Sequence, residues 1–173
     1  MILPEVRDPR LVTVRRGGSL GEDHHRLLAL WAAECAEHVL PWFERERPED
    51  PRPRAALESV RGWTRGEVPM MRSRAAGGHA MGAARELAGP ARWAAYAAGQ
   101  AACVAHVPEH DLGAAAYAVK AARAAAGPDP QAQDAAGRAE CRWQRDRLPD
   151  EVRALVLEDQ QRRNPICWWA FRD

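Results

Sequence analysis

Scarcity bounds this chain before anything it contains. A single lysine, Lys120, stands among 25 basic residues, and 173 residues include only two phenylalanines and two tyrosines. Abundant alanine and arginine in place of these is the usage of a GC-rich genome, so the arginines alone do not indicate nucleic acid. Net charge is also missing. With 25 basic and 24 acidic residues the formal charge is +1, so no global field steers the chain to phosphate or to an anionic membrane. A charged partner must meet a local patch. The longest uncharged run, Ala94 to Val107, is mostly alanine and falls short of the roughly 20 apolar residues that a membrane helix requires. No membrane partner is expected. Cys35, Cys103, Cys141 and Cys167 lie far apart with no C-x-x-C pair, and the first residues lack the basic-then-apolar pattern of a signal peptide. The expectation is a cytoplasmic protein with reduced thiols. No nucleophile sits beside a base, no glycine loop suits phosphate and no metal motif has accepted spacing, so no catalytic residue, cofactor or metal is assigned.

What is present is helical spacing. Leu27, Leu28, Trp31, Cys35, Val39 and Trp42 recur at three and four residues behind Asp23, a residue suited to an N-cap. Pro41 should kink or end that helix near Leu40. A proline-rich linker, Glu44 to Arg54, precedes a short helix with Ala56, Leu57, Val60 and Trp63 on one side. Val68-Pro69 opens a third helix whose apolar side is read as Met70, Met71, Ala75, Met81, Ala84 and Leu87. The centre is Ala91 to Arg123, nearly free of charge and interrupted once by Pro108-Glu-His-Asp111, which predicts two buried helices meeting at a corner. After the breaker Gly127 to Pro130, two more polar helices follow, the first placing Ala135, Ala139, Trp143 and Leu148 inward. The apolar tail Ile166 to Phe171 is expected to dock on the bundle or on a second subunit of a homo-oligomer. The prediction is an all-α, single-domain bundle of about six or seven helices over residues 23–173, with a loosely ordered arm at 1–22 that pairs locally or packs on the helices. The predicted core includes Leu28, Trp31, Trp93, Tyr96, Val104 and Tyr117.

Six histidines raise the question of a site. His106 and His110 are four residues apart, and an unbroken helix would put both imidazoles on one face at ligand spacing. Pro108 lies between them. They are therefore expected to hydrogen-bond buried groups at the corner, and a pocket formed by Asp23, His24, His106 and His110 is the competing expectation. Arg138, Arg142, Arg145 and Arg147 surround Trp143 with Glu140 and Asp146 interleaved, the pattern of a solvated helix face.

Three segments, DHHRLLALWAAECAEHVLPWFE at Asp23 to Glu44, RPRAALESVRGWTRGE at Arg52 to Glu67 and AAGQAACVAHVPEHDLGAAAYAVKAAR at Ala97 to Arg123, resemble the small, alanine-rich helical immunity proteins of bacterial polymorphic-toxin systems. The blocks occur in family order across roughly residues 20 to 125. The resemblance implies an all-helical fold and a toxin protein as partner, bound and neutralised without catalysis. A metal- or small-molecule-binding helical protein, even an enzyme, with its site near His106 and His110 is the second reading.

Overall fold

The computed structural model describes residues 3–172; Met1, Ile2 and Asp173, at the outer ends of the expected arm and domain, lie outside the described residues. Among the described residues, two short 3-10 turns (Pro9–Leu11 and Val14–Arg16) precede seven α-helices. These are α1 (Glu22–Glu46), α2 (Arg52–Thr64), α3 (Met70–Ala83), α4 (Gly89–Cys103), α5 (His110–Ala125), α6 (Pro130–Asp146) and α7 (Asp150–Arg163). The fold is an all-α bundle. The β-favouring residues 11–14 contribute only an isolated bridge between Thr13 and Leu20, and Leu11 and Leu20 bury their side chains. Among the described residues no helix is long and apolar enough to cross a membrane.

The two halves of the alanine-rich stretch, α4 and α5, make the most extensive helix pair; α1 lies against both, α2 and α3 cover α4, and α6 covers α5. Ala94, Ala98 and Ala101 of α4 and Ala114, Ala118 and Ala121 of α5 are fully buried. Methyl side chains contribute little area each, but they let helix axes approach closely. The larger volumes come from the flanking helices, with Leu28, Trp31, Leu40 and Phe43 of α1 and Leu57 of α2 buried against them. Backbones approach closely at the α3–α4 crossing, where a Cβ on Gly77 would stand 2.6 Å from the Gly99 carbonyl oxygen, and one on Gly99 would stand 2.7 Å from that of Gly77. Glycine there is a packing requirement.

The last carbonyls of a helix have no partner within it, and here side chains from other helices supply donors. His25 Nε2 of α1 donates to Val104 O (2.7 Å), and Ser73 Oγ of α3 donates to Ala102 O (2.9 Å). Arg153 of α7 closes the end of α6 through Arg145 O (2.7 Å) and Leu148 O (2.6 Å). These cross-links orient the helices as well as ending them.

Several details depart from the sequence expectation. α1 begins at Glu22 with Gly21 at the cap position, which leaves Asp23 in the first turn, where a carboxylate still suits the helix dipole. α1 also runs through Pro41, whose missing N–H falls on the exposed side of the helix. In α3 the buried residues are Ser73, Gly77, Ala80 and Ala83, while Met70 and Met71 are exposed; close packing on α4 selects small side chains over apolar ones. The inner side of α6 is Gly137, Glu140, Cys141 and Gln144, with Ala135 and Ala139 in solvent. Glu140 and Gln144 enter because partners await them: Gln144 Nε2 donates to Ala115 O (3.1 Å) and to Glu140 Oε1 (2.9 Å), and Glu140 Oε2 pairs with His38 Nδ1 (2.8 Å). Trp31 adds an indole N–H donated to Gln144 O (2.8 Å).

Candidate functional site

Two places in the bundle gather polar or aromatic side chains beyond what packing needs. The first is the corner between α4 and α5. Glu109 and Asp111, the acids of the Pro-Glu-His-Asp break, are fully buried. Arg7 reaches in from the N-terminal segment and pairs with Glu109, donating from Nε at 3.0 and 2.8 Å. Arg163 at the end of α7, 1% exposed, donates to Glu109 O (2.8 Å), Asp111 Oδ1 (3.0 Å) and Asp159 Oδ2 (2.8 Å from Nε). Burial pushes the Asp111 carboxyl above its ordinary range; Arg163 pulls it back and the neighbouring Asp159 pushes it further up. His110 Nδ1 lies 2.7 Å from Gln100 Oε1, which assigns the proton to Nδ1, and burial followed by the Arg163 charge lowers its pKa from 6.5 to about 4. His106 is half-buried, with Nδ1 3.5 Å from Arg16 Nη2. Desolvation and Arg16 lower its pKa too.

His106 and His110 thus both lie at the corner, each against a different partner, whereas Asp23 and His24 are exposed on the first turn of α1. The histidine that α1 sends toward the end of α4 is His25. Among the described residues no group of three or more His, Cys, Asp or Glu side chains is arranged to hold a metal ion. The acids at 109 and 111 are visible in the sequence as charges inside a nearly uncharged stretch. Their partner Arg163, some fifty positions away, has no local signal.

The second place is a face built from α4, α5 and the tail. Trp93 and Tyr96, three residues apart on α4, and Tyr117 and Lys120, three apart on α5, emerge on adjoining helix sides. Tyr117 stacks on Tyr96 (centroids 5.1 Å apart) and on Trp93 (5.9 Å), and Trp168 of the tail closes on Tyr117 at 5.0 Å. Lys120 Nζ lies among the rings, 3.7 Å from the Trp168 centroid and 4.4 Å from that of Trp93. Burial among them lowers its pKa. These rings were expected in the core, but Trp93, Tyr96 and Tyr117 are only half-buried, because α4 and α5 meet through alanines and leave the large side chains at the edge of their contact.

The tail adds two indoles to this face. Asn164 O accepts from Trp169 N (2.8 Å) and its Oδ1 accepts from Phe171 N (3.1 Å), so the chain folds back on itself just after α7. Cys167, Ala170 and Phe171 point inward, while Trp168 and Trp169 remain 40% and 46% exposed. Both tryptophans have left-handed backbone, φ 56° and 58°. For bulky residues that conformation costs on the order of 1–3 kcal/mol each, and it persists only where the surroundings enforce it. Of the tail, Cys167, Ala170 and Phe171 are buried, whereas Ile166, Trp168 and Trp169 stay partly exposed. Beside them Arg123, Asp134, Arg138, Trp168, Trp169 and Arg172 line a recess of about 340 Å³. Arg123 is 3.5 Å from Asp134; Arg138 and Arg172 have no ion pair among the described residues. A separate, shallower groove of about 450 Å³ lies between Trp42, Trp143 and the alanines of α5 and α6.

A family model described as "Imm-5 like putative immunity protein" matches residues 18–151. The match runs from before α1 into the first turn of α7, so it includes Trp93, Tyr96, Tyr117 and Lys120 and stops short of Trp168 and Trp169. No curated protein and no solved structure matches the chain.

Proposed function

Because the chain belongs to the Imm-5 like putative immunity protein family, we propose that it binds and neutralises a cognate bacterial toxin in the cytoplasm, as a stoichiometric partner and not as an enzyme. The observation that carries the reading is the aromatic face on which Trp168 and Trp169 are exposed beside the half-buried Trp93, Tyr96, Tyr117 and Lys120. Trp, Tyr and Arg are the residues that concentrate binding energy at protein interfaces, and stacked rings lose little freedom when a partner covers them. The two outward indoles add weight, since left-handed backbone at both serves to present rings that the core does not need. The corner at His106 to Asp111 is then internal support: its acids are neutralised by Arg7 and Arg163, and its histidines bond to or lie against groups of the chain itself.

The reading is tested by co-expressing the protein with toxin domains encoded beside its gene. Rescue of growth and a one-to-one complex are expected from the wild type. Trp168→Ala with Trp169→Ala should abolish rescue while leaving the helical circular-dichroism spectrum intact. If no neighbouring toxin is bound and the purified protein instead carries a metal or small molecule at His106 and His110, the pocket reading replaces this one.

A further inference from the structure

Resting on that reading, we infer that the toxin surface docking on this face is acidic, and that one of its carboxylates pairs with Lys120. The ammonium of Lys120 has three donors and no acceptor, and no carboxylate lies within ion-pair distance of it among the described residues. Its neighbours are ring faces, those of Trp168, Trp93 and Tyr117. Rings hold a cation in place, but they do not replace the hydrogen bonds it makes to water. A partner that covered this face with apolar groups alone would strip that water and leave a buried, unpaired charge, which is strongly unfavourable. A carboxylate resolves the conflict, because it supplies both countercharge and acceptors. The surroundings have the same requirement. Among the described residues Arg138 and Arg172 carry no ion pair and the buried Nε of Arg92, whose guanidinium lies 5.5 Å from the Trp93 ring, has no hydrogen-bond partner; Asp134, which lines the recess, is engaged with Arg123. On a chain with a formal charge of +1, this is a local basic patch around an aromatic centre.

Single-stranded nucleic acid is the other polyanion with a liking for aromatic, basic surfaces, but it needs ring faces on which bases can stack. Here those faces are largely taken. Tyr96, Tyr117 and Trp93 lie against one another at interplanar angles of 19° to 33°, Lys120 covers Trp93 and Trp168, and Arg172 lies 4.5 Å over Trp169. Ring edges and cations are what remain for a partner. Those suit the side chains of a protein surface.

The test is a calorimetric titration of the full-length chain with the toxin domain encoded beside its gene, at low and high salt. Lys120→Met keeps the stem packed on the rings and removes the charge; about tenfold weaker binding and a flatter salt dependence are expected. Lys120→Glu should weaken binding about 100-fold, and one Asp or Glu of the toxin changed to Lys should restore it. Two results overturn the inference while leaving the proposed function standing: toxin binding unaffected by Lys120→Glu, or affinity independent of salt in the wild type. A single-stranded oligothymidylate that binds the wild type and competes with the toxin would also overturn it. Absence of toxin binding by the wild type overturns the proposed function itself, and this inference with it.

Discussion

His110 sits at the corner as a neutral imidazole, and its titration is a measurable property of the fold. Its folded pKa of about 4 lies below the ordinary 6.5, so as pH falls the unfolded chain takes up the proton first. The stabilising contribution is complete above about pH 6.5 and is lost as pH falls toward 4, worth about 2 kcal/mol between pH 7 and pH 5. The raised pKa of Asp111 acts in the opposite sense, stabilising at low pH and fading as pH rises. The comparison of wild type with His110→Gln isolates the histidine. Urea unfolding at the two pH values should show a smaller loss on acidification in the variant; equal losses would remove His110 from the account. Arg163 is the other decisive residue here. Arg163→Met leaves Asp111 and Asp159 buried without their shared cation and is expected to cost about 3–5 kcal/mol in denaturant unfolding. Neither role is written in local sequence, since a buried arginine at the end of a polar helix has the same spelling as an exposed one.

At the scale of helices, the α3–α4 crossing separates two physical effects. Intrinsic propensity favours alanine over glycine inside a helix by roughly 1 kcal/mol, so Gly77→Ala or Gly99→Ala would stabilise an unconstrained helix. In this bundle an added methyl at either position meets backbone of the facing helix, and at Gly99 it also meets Met81 Cγ at 2.4 Å. Each substitution is expected to lower stability by about 1–3 kcal/mol instead, as measured by the midpoint of chemical denaturation. Helix positions were legible in the sequence wherever a glycine or proline break bounded them: the corner at Pro108 and the stop at Gly127 both lie where the chain turns. Which side of a helix faces inward was less legible. Alanine carries so little area that it marks either side equally, and for this reason α6 buries Glu140 and Gln144 while Ala135 and Ala139 stay in water. Apolar positions in a charge-poor stretch point Trp93, Tyr96 and Tyr117 to the core, but alanine packing leaves them at its edge.

For the whole molecule, the tail links stability to recognition. Removing residues 165–173 takes Cys167, Ala170 and Phe171 out of the packed interior along with both exposed indoles. At the cost typical of one buried aromatic, the melting temperature should fall by roughly 6–20 °C, and the shortened chain should lose its toxin. Trp168→Ala with Trp169→Ala should lose the toxin without that thermal penalty, which divides the two roles of one segment. The face itself was readable only in part. Its residues on α4 and α5 have helical spacing, but their assembly with a tail some fifty to seventy-five residues downstream depends on the turn at Asn164 and on left-handed backbone at two tryptophans, neither of which periodicity reveals. If the toxin binds this assembled surface, backbone amide hydrogen exchange of the chain, free and in complex with the toxin domain encoded beside its gene, will register it there. New protection is expected on the α4 and α5 turns carrying Trp93, Tyr96, Tyr117 and Lys120 and in the tail from Ile166 to Arg172. Protection confined to other surfaces, such as the groove between Trp42 and Trp143, would contradict it.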